Sequence, residues 1–295
     1  MSGLKTIRRR ITSVKNTKQI TRAMKLVSAA KLRRAQEAAT SGQSYVNKLQ
    51  RLLSEVIKAL PAGYSSSILR KPDVVKKRRV LMISGERGLC GAYNNNVLKA
   101  AVAEKEQADD LGIEIDFFPI GKQAVTALKR QGYPTWNGNF EMPESAANWP
   151  VTELAATLIE SFVKEEFDEL VILYTKFVST MTQRVNRDLV LPFQAESIES
   201  VDSSELAEFA IKPKFDPKPE IIMHNLLNYV LGVKIQQSGL ESKASEHAAR
   251  MTAMDSATRN ADDLIEKLKL FYNRARQTAI TRELIDIVGG AEATK

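Results

Sequence analysis

The chain has 295 residues, 43% of them hydrophobic, which suits one or two domains with a real core. A single cysteine, Cys90, excludes an internal disulfide framework and a cysteine-ligated metal site, and it fits a reducing compartment. The formal charge of +8 is unevenly placed, since residues 1–36 hold eleven Lys or Arg and no Asp or Glu, and no apolar run reaches the length of a membrane span, so a soluble chain is expected.

Residues 3–60 read as one long helix. Leu4, Ile7, Ile11 and Val14 recur three and four apart. After a polar interruption at Asn16, Thr17 and Lys18, the series resumes at Ile20, Met24, Val27 and Ala30. Such a phase slip locally changes a supercoil. Tyr45, Leu49, Leu52, Val56 and Leu60 carry it on, with a weak point at Ser41-Gly42, until Pro61-Ala62-Gly63 stops it. At 1.5 Å per residue the helix would run roughly 85 Å. The acid-free, Arg-rich start has the composition of an organellar transit peptide. The periodicity continues through it without a break, however, so it is read as mature protein.

Residues 64–77 read as a linker, and the pattern then changes. Val80 to Ile83 is a buried strand ending at Ser84-Gly85, followed by a helix over 92–110 and a second strand over Ile113 to Phe118. A helix over 121–130 ends at Gly132, and Tyr133 to Trp136 is a short third strand. A loop over Asn137 to Pro150 leads to a helix over Val151 to Glu165, then to the clearest strand, Leu170 to Tyr174. Alternating strands and helices imply a small parallel sheet covered on both faces. Residues 180–193 fit an edge strand, and Ser197 to Glu208 an acidic loop or edge.

Pro219 to Gly289 form the second long helix, roughly 100 Å at helical rise. Asp216 and the prolines after it suit a helix start, and Gly289-Gly290 a helix end. Its 3-4 series runs through Ile222, Leu226, Tyr229, Val233, Leu240, Ala244, Ala248 and Met251. It continues through Met254, Thr258, Ala261, Ile265, Leu268, Tyr272, Ala275 and Ala279. This is the seam of a coiled coil. The N-terminal helix is its natural antiparallel partner and is shorter, so the C-terminal end should outlast it. Leu284, Ile285, Ile287 and Val288 there occupy more than one face and call for a surrounding sleeve.

No catalytic constellation emerges. The loop Gly85 to Gly91 lies where nucleotide folds hold phosphate, but its glycines are spaced GxxGxxG and Glu86 would repel an anion. Gly121-Lys122 resembles the end of a Walker motif, with Asp116 and Gln123 in the wrong places. Both loops are read as tight turns. His224 and His247 are too far apart on one helix to share a site, and Cys90 has no adjacent histidine. Adjacent acids such as Asp109-Asp110, Glu165-Glu166 and Asp262-Asp263 read as solvated faces. The basic N-terminal helix could serve nucleic acid. It has no aromatic residue before Tyr45, so base stacking is unsupported.

Four stretches then carry a resemblance that covers the whole chain: Leu4 to Ile11 continuing through Asn16 to Val27, Gly88-Leu89-Cys90-Gly91, Ser245 to Met254, and Tyr272 to Gln277 followed by Ile280 to Ala291. Together they resemble the gamma subunit of bacterial F-type ATP synthases. The resemblance implies a central-stalk rotor that transmits torque between a membrane c-ring and the catalytic alpha-beta ring. It implies that the subunit thereby couples proton translocation to ATP synthesis and hydrolysis and regulates ATPase activity. It implies a non-catalytic subunit without a cofactor, one copy per alpha3beta3 ring. Its partners would be the alpha, beta and epsilon subunits and the c-ring, on the cytoplasmic face of the bacterial inner membrane. Family contact positions map to Met24, Arg250, Gln277, Thr281 and Glu283. Photosynthetic relatives carry an inserted segment, in plants with a regulatory cysteine pair, that this chain lacks.

The expected architecture is an α/β fold: a long antiparallel coiled coil of the terminal helices with an inserted Rossmann-like α/β domain. The expected division is 1–61 (N-terminal helix), 62–77 (linker), 78–212 (α/β domain) and 213–295 (C-terminal helix). The basic stretch, through Lys18, Arg22 and Lys25, is expected to face acidic loops of beta subunits. The rival readings are a basic coiled-coil nucleic-acid-binding protein and a small phosphate-binding α/β enzyme.

Overall fold

The computed structural model describes residues 2–61, 67–70, 72–136, 140, 142–193, 216 and 218–292. The expected acidic loop over Ser197 to Glu208 lies outside them. Helix α1 spans Ser2–Ala59 and the last helix, α5, spans Pro219–Glu292. Between them come β1 (Lys77–Ile83), α2 (Tyr93–Asp110), β2 (Glu114–Ile120), α3 (Lys122–Gln131), α4 (Val151–Val163), β3 (Glu169–Phe177) and β4 (Gln183–Leu191). Helix α5 runs through Gly289-Gly290 rather than ending there. Residues 133–136 form only an isolated bridge, Thr135 to Phe117, instead of a strand.

Contacts divide the chain into two compact units, Met1–Ala29 with Arg250–Lys295, and Ala30–Ala249. Each long helix contributes a segment to both. The larger unit is built on a four-stranded sheet of order β2-β1-β3-β4. β1 pairs in parallel with β2 and β3, and β4 closes the edge antiparallel to β3. Alternate residues of β1 point to opposite faces. Val80 and Met82 pack with Val97, Ala101, Ala124 and Leu128 of α2 and α3. Leu81 and Ile83 face a second cluster with Leu154, Leu158 and Phe162 of α4. That cluster also takes Leu49, Leu53 and Val56 of α1 and Met223, Leu227, Leu231 and Ile235 of α5.

The terminal helices are thus walls of the sheet's core as well as partners of each other. Leu49, Val56 and Leu226 of the expected seam are buried and Tyr45 meets Tyr229 edge-on, their hydroxyls 2.6 Å apart, but further residues are buried beside them. Val46 and Leu53 are buried where Tyr45 and Leu52 were expected, and both of those are exposed. Met223, Leu227 and Leu231, four residues apart, are buried, whereas Tyr229 is exposed. A helix that covers a sheet needs a wider apolar stripe than a coiled-coil seam. Gly239 serves the same packing, because a Cβ there would lie 2.3 Å from the Trp149 ring.

Charged residues open β1 and are buried with it. Arg79 makes a two-pronged pair with Asp116 (2.8 and 2.9 Å) and lies over the rings of Trp136 and Phe167. Arg78 binds Glu169 (2.6 Å) and Glu104 (2.7 Å), and Glu104 also accepts from Arg187. Asp168 is drawn upward in pKa by burial. Bonds from the Lys76 and Lys77 amides and from Arg70 outweigh that and hold it below the usual value.

Candidate functional site

In sheets of this kind, ligands bind outside the carboxyl ends of the strands where the strand order reverses. Here that point lies between β1 and β3, and α5 occupies it. Ser245 Oγ donates to the Thr175 carbonyl at the end of β3 (2.9 Å). The hydroxyls of Ser242 and Tyr93 are 2.7 Å apart. The loop after β1 is folded onto the same helix. Its Gly85 amide donates to Asn94 Oδ1 (3.0 Å), and a Cβ on Gly85 would lie 3.2 Å from the carboxyl carbon of Glu246. Glu246 is buried and paired with Lys243. A buried carboxylate and an amide already bonded are the opposite of a phosphate cradle. Leu89 and Gly91 supply the left-handed turn, at φ 60° and 58°, and Cys90 is buried within it. Gly121 is explained the same way. Its φ is +95°, and a Cβ would fall 2.5 Å from the Ser84 carbonyl oxygen. Among the described residues no group of three or more His, Cys, Asp or Glu could hold a metal ion.

The smaller unit presents surface rather than a cavity. Within it α1 and α5 run in one antiparallel register, marked by three polar rungs. Lys18 Nζ lies 2.5 Å from Asp262, and Lys25 Nζ lies 2.5 Å from Asp255. Between them the hydroxyls of Thr21 and Thr258 are 2.8 Å apart. Each threonine hydroxyl also lies within bonding distance of a carbonyl of its own helix, so one can donate across the seam while the other donates inward. The bond from Lys25 holds the Asp255 carboxyl below its ordinary pKa, assisted by Arg259. Lys18 and Lys25 are thus engaged inside the chain while 33% and 41% exposed, and of the trio with Arg22 only Arg22 is exposed without an ion pair among the described residues. Asp262 pairs with Lys18 while its side chain stays 46% exposed, and Asp263 beside it is exposed.

The seam also runs through different residues than expected. Thr21, Ser28 and Leu32 are buried, while Ile20, Leu26 and Val27 are 59%, 64% and 57% exposed. Over this stretch α1 turns polar residues toward α5 and apolar ones outward. On α5 the expected seam holds, with Met254, Ala261 and Ile265 buried. Carried toward the start of α1, the register sets Leu4 opposite Arg276. Ser2, where α1 begins, falls opposite Thr278, so residues from Ala279 onward outrun α1, and Ile280, Leu284, Ile285 and Ile287 are exposed.

The family contact positions fall as follows. Met24 is half-buried. Arg250 is 9% exposed, at the start of the α5 segment of this unit. Gln277 and Thr281 are exposed and linked by a bond from the Thr281 hydroxyl to the Gln277 carbonyl (3.0 Å). Both lie on the exposed surface of α5 with Arg274, Thr278, Arg282 and Ile285. The Glu283 side chain lies outside the described residues. The polar rungs escaped the sequence reading. Their signal was present as two lysines seven apart on one helix and two aspartates seven apart on the other.

The sequence model of the ATP synthase family matches residues 3–294. The ATP synthase gamma chain of Geobacter metallireducens is 39% identical over 300 positions, covering all of both chains. The chain belongs to the ATP synthase gamma family. The gamma chain of Geotalea daltonii is 40% identical over 296 positions, again covering both chains. The alignment with the Cyanothece gamma chain, 36% identical, spans 318 positions, so that relative carries residues absent here. Among solved structures, the rotor of the Euglena gracilis mitochondrial ATP synthase matches with a TM-score of 0.61 at 19% identity, covering 95% of this chain and 99% of that one. The central stalk and c-ring structure of the Tetrahymena thermophila enzyme matches at 0.54 and 22%, covering 81% and 99%. These two likenesses are of fold. This gamma subunit is a central-stalk component of an F-type ATP synthase, and none of its described helices is long and apolar enough to cross a membrane.

Proposed function

We propose that this gamma subunit is the non-catalytic shaft of the motor, carrying torque between a membrane c-ring and an alpha-beta ring that holds the nucleotide sites. The observation that carries the reading is the exposed apolar end of α5, Ile280 to Ile287, on a helix that has outrun its partner. In a free protein such a surface invites association. A sleeve of alpha and beta subunits around it removes that exposure. Arg22 and the outward Ile20, Leu26 and Val27 offer a second, chemically different face. That asymmetry is what a shaft needs, because a ring subunit changes state only when its contacts differ between angles. Reversing a 1:99 population takes about 5.5 kcal/mol of differential contact.

Met24, Arg250, Gln277, Thr281 and Glu283 are the proposed contact positions, and the epsilon subunit and c-ring the proposed partners of the larger unit. Filling of the strand-end crevice by α5 supports a subunit that binds no nucleotide. The proposed location is the cytoplasmic face of a bacterial inner membrane. Native mass spectrometry of the complex recovered on the tagged chain tests the reading. One copy with three alpha and three beta subunits is expected. Recovery of nucleic acid instead, released by salt, would replace this reading with the basic coiled-coil one.

A further inference from the structure

The inverted pattern of α1 in the smaller unit poses a physical problem. From Lys18 to Ser28 its face toward α5 offers Thr21 and Ser28 as buried residues, both small and polar. Large apolar knobs set the register of an ordinary coiled coil by filling holes in the facing helix. Here Ile20, Leu26 and Val27 point away and cannot do so. On the other helix Ala261 is small too, while the larger Met254 and Ile265 are buried with no fully buried large apolar residue on the described part of α1 in this unit. With fully buried large knobs on one helix only, packing alone holds the register weakly.

We infer that the rungs Lys18–Asp262, Thr21–Thr258 and Lys25–Asp255 are a register lock, and that these six are positioning residues for torque transmission. The two charged rungs are one heptad apart on both helices, and the threonine rung lies between them. Only this register satisfies both charged rungs. A slip of seven residues in one direction sets Lys18 opposite Lys269. In the other direction it leaves Lys25 opposite Ala248. Polar groups that fix register at little gain in stability are a known use of such pairs in coiled coils. The lysines and aspartates are partly exposed, at 33% and 46% for one pair and 41% and 31% for the other. Pairs so exposed add little to stability and act chiefly by excluding wrong alignments. Turning one helix against a load applies shear along this seam, and a lock lets the pair respond as one body.

The inference rests on the shaft reading only for its consequence, so the test has two arms. The first reports register directly. A Val14→Cys, Ile265→Cys pair, opposite one another in this register, is oxidised in the assembled complex. Rapid disulfide formation is expected in the parent, loss of yield in the like-charge variant Asp255→Lys with Asp262→Lys, and recovery when Lys18→Asp and Lys25→Asp are added. The second arm measures ATP-driven proton pumping per ATP hydrolysed in reconstituted vesicles. Pumping should fall in the like-charge variant while hydrolysis continues, and return in the charge-swapped one. Unchanged disulfide yield with like charges, or no recovery on swapping, would overturn the lock. Altered yield with unchanged pumping would overturn its role in torque. The disulfide arm reads the same whether or not the chain turns within a ring.

Discussion

The two units of this gamma subunit solve opposite problems with the same two helices. In the unit of residues 30–249, α1 and α5 bury Leu53, Val56, Leu227, Leu231 and Ile235 in one cluster with the sheet and α4. In the unit of residues 1–29 with 250–295 they bury Thr21 and Ser28 of α1 with Met254, Ala261 and Ile265 of α5, and expose Ile20, Leu26, Val27 and Leu284. Large buried side chains give stability, at about 1.5–3 kcal/mol each for full burial. Small polar seams give little stability but define alignment, and they leave apolar residues free for the outer surface. One segment of each helix therefore anchors the fold, and the other leaves apolar residues exposed, which we propose are covered by other chains.

The sharpest way to break that contrast is truncation in each unit. Phe162→Ala, in the sheet unit, should cost about 3–5 kcal/mol in denaturant unfolding. Asp116→Ala should cost a similar amount, about 3–5 kcal/mol, because it strands the buried Arg79 guanidinium. If either change is mild, the sheet unit is not the anchor. Gly239→Ala should cost about 1–3 kcal/mol, since the new methyl group collides with Trp149. Restoration by a second change, Trp149→Leu, would locate the clash. Ile20→Ala and Val27→Ala, in the other unit, should change unfolding by no more than about 0.5 kcal/mol. They should instead weaken recovery of the assembled complex. A large stability loss from either would mean that the outward residues are packed within the chain.

Acid offers the smallest and most diagnostic effect. The folded-state pKa of Asp168 lies below its ordinary 3.8. Its contribution is therefore present above that ordinary value and is lost as pH falls through the lower, folded one. Asp168→Asn should remove that part of the acid dependence, seen as a flatter plot of unfolding free energy against pH below about pH 4. An unaltered slope would show that the amide bonds from Lys76 and Lys77 do not depend on the carboxylate charge.

Periodicity and punctuation alone determined much of this protein. Two long proline-free stretches with 3-4 apolar spacing could only be long helices, and the Val80 and Leu170 runs could only be buried strands. An unpaired end of the C-terminal helix was legible because that helix is longer than its partner, whereas Gln277 and Thr281 were singled out only by the resemblance to the family. What tertiary structure alone decided is which face of each helix is inside. Ile20, Leu26 and Val27 are apolar, so spacing assigned Ile20 and Val27 to the seam. With Lys18 and Lys25 paired to α5 and Thr21 and Ser28 buried between the helices, those residues face out. Tyr45 and Leu52 yielded to Val46 and Leu53 because the sheet, distant in sequence, also needed covering. Arg78 and Arg79 are buried only because Glu104, Glu169 and Asp116 arrive from other elements to neutralise them. The physical reason is common to all three cases. Burial is set by the sum of contacts a residue finds in space, whereas a sequence pattern reports only the neighbours along one helix or strand.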